Sequence, residues 1–136
     1  MSNDFLRPSN IENKSEISVQ ALAHIGDAVY ELMIRTWLCT DGITTAKVLH
    51  SRAVKDVCAK SQAMAIERIL PFLSDDEIAV YKRGRNANTG SVPKGATHGE
   101  YHAATGLEAL FGYLYLNGKV DRLNELFIIG LNVENK

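Results

Sequence analysis

The chain has 136 residues, 46% of them hydrophobic and 23% charged, with 15 Lys and Arg against 16 Asp and Glu. That composition suits one globular domain that buries roughly two-thirds of its unfolded surface; it excludes a polycation and an acidic disordered tail. A near-neutral total still leaves room for a local basic patch that binds nucleic acid.

The longest apolar run, Ala109 to Leu116, has eight residues, against the roughly 20 that cross a bilayer. The first ten residues carry no apolar stretch of signal-peptide type, so a cytoplasmic protein is expected. Cys39 and Cys58 lack metal-ligand spacing and fall in helix-like segments. Both read as free, buried thiols of a reducing compartment.

Residues 1–17 are polar, contain Pro8 and read as an N-terminal arm; residues 18–136 read as a single domain. From Ser18 to Leu38, Leu22, Ile25, Val29, Leu32, Met33 and Thr36 follow helical spacing. Asp41-Gly42 stops that helix. Thr44 or Thr45 can cap a second helical stretch to about Leu70, with Val48, Leu49, Val54, Val57, Ile66 and Ile69 as its apolar positions and room for a break. Pro71 ends it. Ser74-Asp75-Asp76-Glu77 is a capping box that opens a helix to about Arg85. Gly84 to Thr97, with Gly90, Pro93 and Gly95, reads as a long loop. Thr97-His98-Gly99-Glu100 is a second capping box, followed by a helix to Leu116 and a last helix through Val120, Leu123, Leu126 and Phe127. Period-two alternation is missing, so the fold class is all-α, with five or six helices.

Charge is uneven. Residues 42–63 hold Lys47, Arg52, Lys55 and Lys60 against Asp56, and residues 82–99 hold Lys82, Arg83, Arg85 and Lys94 with no acid. The second stretch also carries Asn86, Asn88, Thr89 and Ser91. It reads either as a solvated loop or as a contact to a phosphate backbone.

Two carboxylates stand apart. On a helical wheel Asp27 leaves the polar strip of Gln20, His24, Glu31 and Arg35 and shares a stripe with Ala23, Tyr30 and Ile34. Partial burial is expected for it. Glu108 is the only acid between Glu100 and Asp121, with Tyr101, Ala104, Thr105, Phe111, Gly112 and Tyr115 as helical neighbours. Burying either acid costs several kcal/mol without a partner. An Arg or a Tyr could supply one. If the two acids face each other, a divalent cation could serve both. His24, His50, His98 and His102 read as surface or cap residues, and Trp37, Tyr113 and Tyr115 as core or dimer packing.

Ala23-His24-Ile25-Gly26-Asp27-Ala28-Val29 resembles the signature helix of the ribonuclease III family, built on a Leu/Ile-Gly-Asp-Ala-Val core. Thr105-Gly106-Leu107-Glu108-Ala109-Leu110-Phe111-Gly112 resembles that family's second acidic motif. Arg83-Gly84-Arg85-Asn86-Ala87, Val92-Pro93-Lys94, Gly112 to Leu116 and Val57 to Ala63 resemble its short bacterial branch. The resemblance covers about Val19 to Phe127.

It implies the all-helical ribonuclease III endonuclease fold, a homodimer, Mg²⁺ and double-stranded RNA, with no attached double-stranded-RNA-binding domain. It implies cleavage of both strands to 5′-phosphate and 3′-hydroxyl ends, in trimming of precursor 23S ribosomal RNA. A ribosomal protein that presents the substrate is compatible with it. Asp27 and Glu108 carry over as catalytic metal ligands, with Thr105 and Gln20 as candidates for an outer shell. The RNA-binding candidates are Arg83, Arg85 and Lys94, then Lys82, Arg52, Lys55 and Lys60. Three positions depart from the larger family, where acids are usual: Gln20, Ala23 and Thr105. That thin acid set keeps a non-cleaving double-stranded-RNA-binding assembly factor as the alternative.

Overall fold

The computed structural model describes residues 4–8, 17–42, 45–87, 92 and 94–133. The elements are α1 (Val19–Thr40), α2 (Ala46–Val57), α3 (Ala59–Ile69), a 3-10 turn (Leu70–Phe72), α4 (Asp75–Arg85), α5 (His98–Leu116) and α6 (Val120–Leu131). Among the described residues the fold is all-α.

Local chemistry sets the helix starts. The Ser18 hydroxyl accepts from the Ala21 N–H at 3.0 Å. Both capping boxes close: Glu77 accepts from the Ser74 N–H at 2.8 Å and Glu100 from the Thr97 N–H at 3.0 Å. Thr45 stands at the N-cap of α2 without a side-chain cap bond, and Thr44 lies outside the described residues. The second helical stretch breaks at Cys58, whose extended backbone (ψ 158°) ends α2 and starts α3. There the Lys55 carbonyl, freed from the helical ladder, accepts from the Ser61 hydroxyl at 2.9 Å and from the Cys58 thiol at 3.2 Å.

Helix α5 runs through the middle, packed against α1, α3, α4 and α6. Leu107, Ala109, Leu110 and Phe111 are fully buried, so the helix is covered on several sides. The Tyr30 ring meets Phe111 and Phe127 edge-on, at centroid distances of 5.4 and 5.9 Å, and joins α1, α5 and α6. Trp37, Tyr113 and Tyr115 are half-buried against this core, as packing residues should be.

Three sequence expectations are corrected. The buried stripe of α1 is Leu22, Gly26, Val29, Tyr30, Ile34 and Leu38, and it leaves Leu32 60% exposed and Thr36 exposed. The crossing of α5 over Gly26 sets that orientation. In α2 only Ala53 is buried, while Val48 and Val54 are exposed. Both cysteines are free but exposed: Cys39 stands at the rim of a cavity between α1 and α2, and Cys58 sits at the α2–α3 break.

Arg122 of α6 ties three elements together. It donates twice to Glu77, at 2.8 Å each, and to the Phe72 carbonyl at 2.7 Å, and pairs with Glu125. The Arg122 guanidinium holds the Glu77 carboxyl below its ordinary range. Of the N-terminal arm, residues 4–8 are described; the Phe5 ring is exposed and its carbonyl accepts from the Tyr115 hydroxyl. No helix is long and apolar enough to cross a membrane among the described residues.

Candidate active site

The site begins with two glycines. A Cβ on Gly26 would stand 1.6 Å from the Glu108 carbonyl oxygen and 2.8 Å from the Gly112 nitrogen. One on Gly112 would stand 2.0 Å from the Leu22 carbonyl oxygen. Helices α1 and α5 therefore meet main chain on main chain, which any larger residue at either place prevents. Asp27 follows Gly26 directly and emerges beside Glu108.

Successive turns of the two helices wall a cleft of about 190 Å³. Val19, Gln20, Ala23, His24 and Asp27 line it from α1, Tyr101, Thr105 and Glu108 from α5, and Ala87 from the segment after α4. The spacing of three and four residues puts each set on one helix face. All three positions at which this sequence departs from the larger family's acids, Gln20, Ala23 and Thr105, open on this cleft.

Glu108 is half-buried. Burial first, then the neighbouring Asp27 carboxylate, push its pKa up to about 8, and the Gln62 carboxamide pulls the other way. Asp27 is exposed on the cleft rim, which corrects the partial burial expected for it. Tyr30 and Ile34 of its stripe are buried, but the small Ala23 one turn before leaves the cleft open beside it.

A cation between the two acids would relieve their repulsion. The oxygen donors around the cleft suit a hard ion: two carboxylates, the Gln20 carboxamide and the Thr105 hydroxyl, itself bonded to the Tyr101 carbonyl at 3.0 Å. Among the described residues no group of three or more His, Cys, Asp and Glu forms a denser cage. Two carboxylates with space for waters fit Mg²⁺, which keeps part of its hydration, and do not fit a closed zinc site.

The basic candidates divide. Lys82 and Arg83 are exposed on the last turn of α4, and Ala87 just beyond lines the cleft, so that basic end meets the cleft edge. Arg85 is half-buried, its guanidinium 5.6 Å from the centroid of the Tyr81 ring and its Nε bonded to the Asn86 side chain at 3.2 Å. Lys94 is exposed. Gly84 belongs to α4 and is buried rather than in the loop. Asn88, Thr89, Gly90, Ser91 and Pro93 lie outside the described residues. Arg52, Lys55 and Lys60 are exposed on α2 and α3, and none lines the cleft. His24 is exposed as expected yet forms part of the cleft wall; His98 and His102 stack with centroids 6.3 Å apart.

Sequence reasoning missed Tyr101 and Ala87 as cleft residues, and Gln62 as a buried polar residue, 2% exposed. The signal was there: Gln62, Ala65, Ile66 and Ile69 form one helical stripe, all buried. A polar residue on an apolar stripe was the same clue that singled out Asp27 and Glu108.

The Ribonuclease III domain model matches residues 20–119. The chain is 42% identical over 122 residues to the Mini-ribonuclease 3 of Thermoanaerobacter sp. (strain X514), covering 90% of this chain and 86% of that protein. It is 44% identical over 108 residues to the Mini-ribonuclease 3 of Enterococcus faecalis, covering 78% of this chain and 82% of that protein. A crystal structure of a protein from Fusobacterium nucleatum superposes with a TM-score of 0.80 at 30% identity, covering 88% of this chain and 91% of that one. The matched span holds both acidic motifs and the cleft between them, and the chain belongs to the ribonuclease III family, in its Mini-ribonuclease III branch.

Proposed function

We propose that this endoribonuclease hydrolyses double-stranded RNA in the cleft between α1 and α5, with Mg²⁺ held by Asp27 and Glu108, in the maturation of precursor 23S ribosomal RNA. The observation that carries the reading is the pairing of an exposed and a half-buried carboxylate across the Gly26–Gly112 crossing. When bound, Mg²⁺ supplies a water of lowered pKa and stabilises the charge that builds on the phosphate oxygens.

The residues of the chain divide the remaining work. Asp27, on the rim, and Glu108, deeper, would hold the ion, Glu108 giving up its proton to do so. The Gln20 carboxamide and the Thr105 hydroxyl, which line the same cleft, would hydrogen-bond water there. The attacking water gives a proton to solvent as its oxygen joins phosphorus, and the 3′-oxygen leaves and takes up a proton, which gives 5′-phosphate and 3′-hydroxyl ends. The basic end of α4, with Lys82, Arg83 and Arg85, and Lys94 beyond it, grips the duplex backbone; Arg52, Lys55 and Lys60 extend the grip. An A-form duplex offers phosphates and 2′-hydroxyls to such a surface while its major groove stays out of reach.

A homodimer would present two clefts, one for each strand. The exposed apolar side chains Leu32, Val54 and Met64 supply surface for a second copy to cover. The setting this implies is the cytoplasm, with a ribosomal protein as a candidate presenter of the precursor.

The test is incubation of the protein with long double-stranded RNA and Mg²⁺, beside Asp27→Asn and an EDTA control. Cleavage by the parent alone, abolished by EDTA, is the expected result. Binding without cleavage would turn the reading to the non-cleaving assembly factor, which the departures at Gln20, Ala23 and Thr105 favour. Cleavage by Asp27→Asn would move the chemistry elsewhere.

A further inference from the structure

We propose that His98 and His102 form a second metal site at the start of α5, one that takes a borderline transition-metal ion such as Zn²⁺. Neither residue lines the cleft that holds Asp27 and Glu108, and the proposal does not depend on that cleft. The two histidines stand four residues apart in His98-Gly99-Glu100-Tyr101-His102. That spacing puts both side chains on one helix face. The structure brings the rings together, with planes 30° apart and centroids 6.3 Å apart. One nitrogen of the pair lacks a partner: His102 Nδ1 is shut off from solvent and makes no hydrogen bond. A buried polar atom left so is unfavourable, and a bound ion would satisfy it.

The donors select the ion. Imidazole nitrogen suits Zn²⁺, Ni²⁺ and Cu²⁺, whereas Mg²⁺ takes oxygen. With Zn–N bonds of about 2.0–2.1 Å, two imidazoles on a tetrahedral ion have centroids about 5 Å apart. The separation here is 6.3 Å and His98 is exposed, so a turn of its side chain closes the gap. The histidines supply part of the coordination shell and water fills the rest. The positive end of the α5 dipole costs a cation there about two- to fivefold in affinity. Glu100, which lies between the histidines in sequence and accepts from the Thr97 N–H, offsets part of that cost. A bound ion would cross-link the start of α5. Tyr101 lies within that link, its ring edge-on to His102 at 5.7 Å, and it lines the cleft. The ion would therefore stiffen the cleft wall that Tyr101 forms.

The experiment is a calorimetric titration of the protein with Zn²⁺ in excess Mg²⁺, with thermal unfolding on the same samples. The parent is expected to bind Zn²⁺ and to unfold at a higher temperature with it than without. His98→Ala and His102→Gln should each weaken Zn²⁺ binding by at least the roughly tenfold that even an outer-shell group is worth, and lose the rise in unfolding temperature. Asp27→Asn, which removes a cleft acid, should bind Zn²⁺ like the parent. Loss of Zn²⁺ in Asp27→Asn would put the ion in the cleft and overturn the second site. An isotherm unchanged in either folded histidine variant overturns it too, and moves the ion to the thiols of Cys39 and Cys58 or to the cleft. A parent that takes up no Zn²⁺ under these conditions overturns it outright. His98→Ala changes an exposed side chain, so it decides the matter even if His102→Gln does not fold.

Discussion

Glu77 and Glu108 are the same residue in opposite circumstances. Glu77 closes a capping box and takes two hydrogen bonds from Arg122, which hold its carboxyl below the usual range. Glu108 faces Asp27 from a half-buried place and is pushed up to about 8. The first arrangement stabilises the fold without any partner from outside. The second is unfavourable on its own, and a cation between the two acids would relieve it.

The sharpest way to break that contrast is to separate the helices that create it. Gly26→Ala should be destabilised by about 3 kcal/mol or more, or fail to fold, because its Cβ would enter the Glu108 carbonyl. Gly99→Ala, whose added methyl would meet only the Thr97 hydroxyl oxygen, at 4.0 Å, should raise stability by about 0.5 kcal/mol. Chemical denaturation of both variants checks the pair. Equal effects would mean that the crossing is looser than described.

Exchanging each glutamate for glutamine comes next. Glu77→Gln should lose about 2 kcal/mol through its bonds to Arg122 and keep cleavage. Glu108→Gln should lose cleavage and, in EDTA, unfold at a higher temperature than the parent. A loss of activity in the first or of stability in the second would dissolve the distinction.

The pH dependence sharpens it further. The folded pKa of Glu108 lies above its ordinary 4.5, so the folded state holds the extra proton between 4.5 and about 8. Metal-free stability should therefore fall as pH rises through that window, and Mg²⁺ or Glu108→Gln should remove the slope. The shift at Glu77 has the other sign: its contribution is complete above 4.5 and is lost as pH falls through its lowered folded value. Thermal melts across pH in EDTA report both limbs.

The smallest effects belong to the surface. Arg83→Ala should reduce the slope of log affinity against log salt by about one and leave the metal-free stability unchanged. Filter binding to a duplex at several salt concentrations measures it.

Much of the scaffold was legible because it depends on neighbours in sequence. Ser74 and Thr97 are caps by their spacing alone, and α4 and α5 start where those residues stand. The carboxylate pair was legible as two acids on apolar stripes, although only the resemblance put them together. What was not legible is tertiary. The exposure of Asp27 depends on where α5 crosses α1, and that crossing also turns Leu32 outward. The break at Cys58 depends on the Lys55 carbonyl finding the Ser61 hydroxyl. Gln62 escaped because its burial comes from the packing of α3 against α5, which nothing local connects.

The contact of α1 with α5 at Gly26 and Gly112 has an engineering consequence. Where side chains separate two helices, every substitution between them changes the gap; here the peptide groups themselves are the spacer, and their dimensions are fixed. Repacking Leu110, Phe111 or Tyr30 should shift the melting temperature while the jaws of the cleft keep their gauge. A library that varies the core for heat tolerance can therefore leave those two glycines alone and expect the cutting geometry to survive.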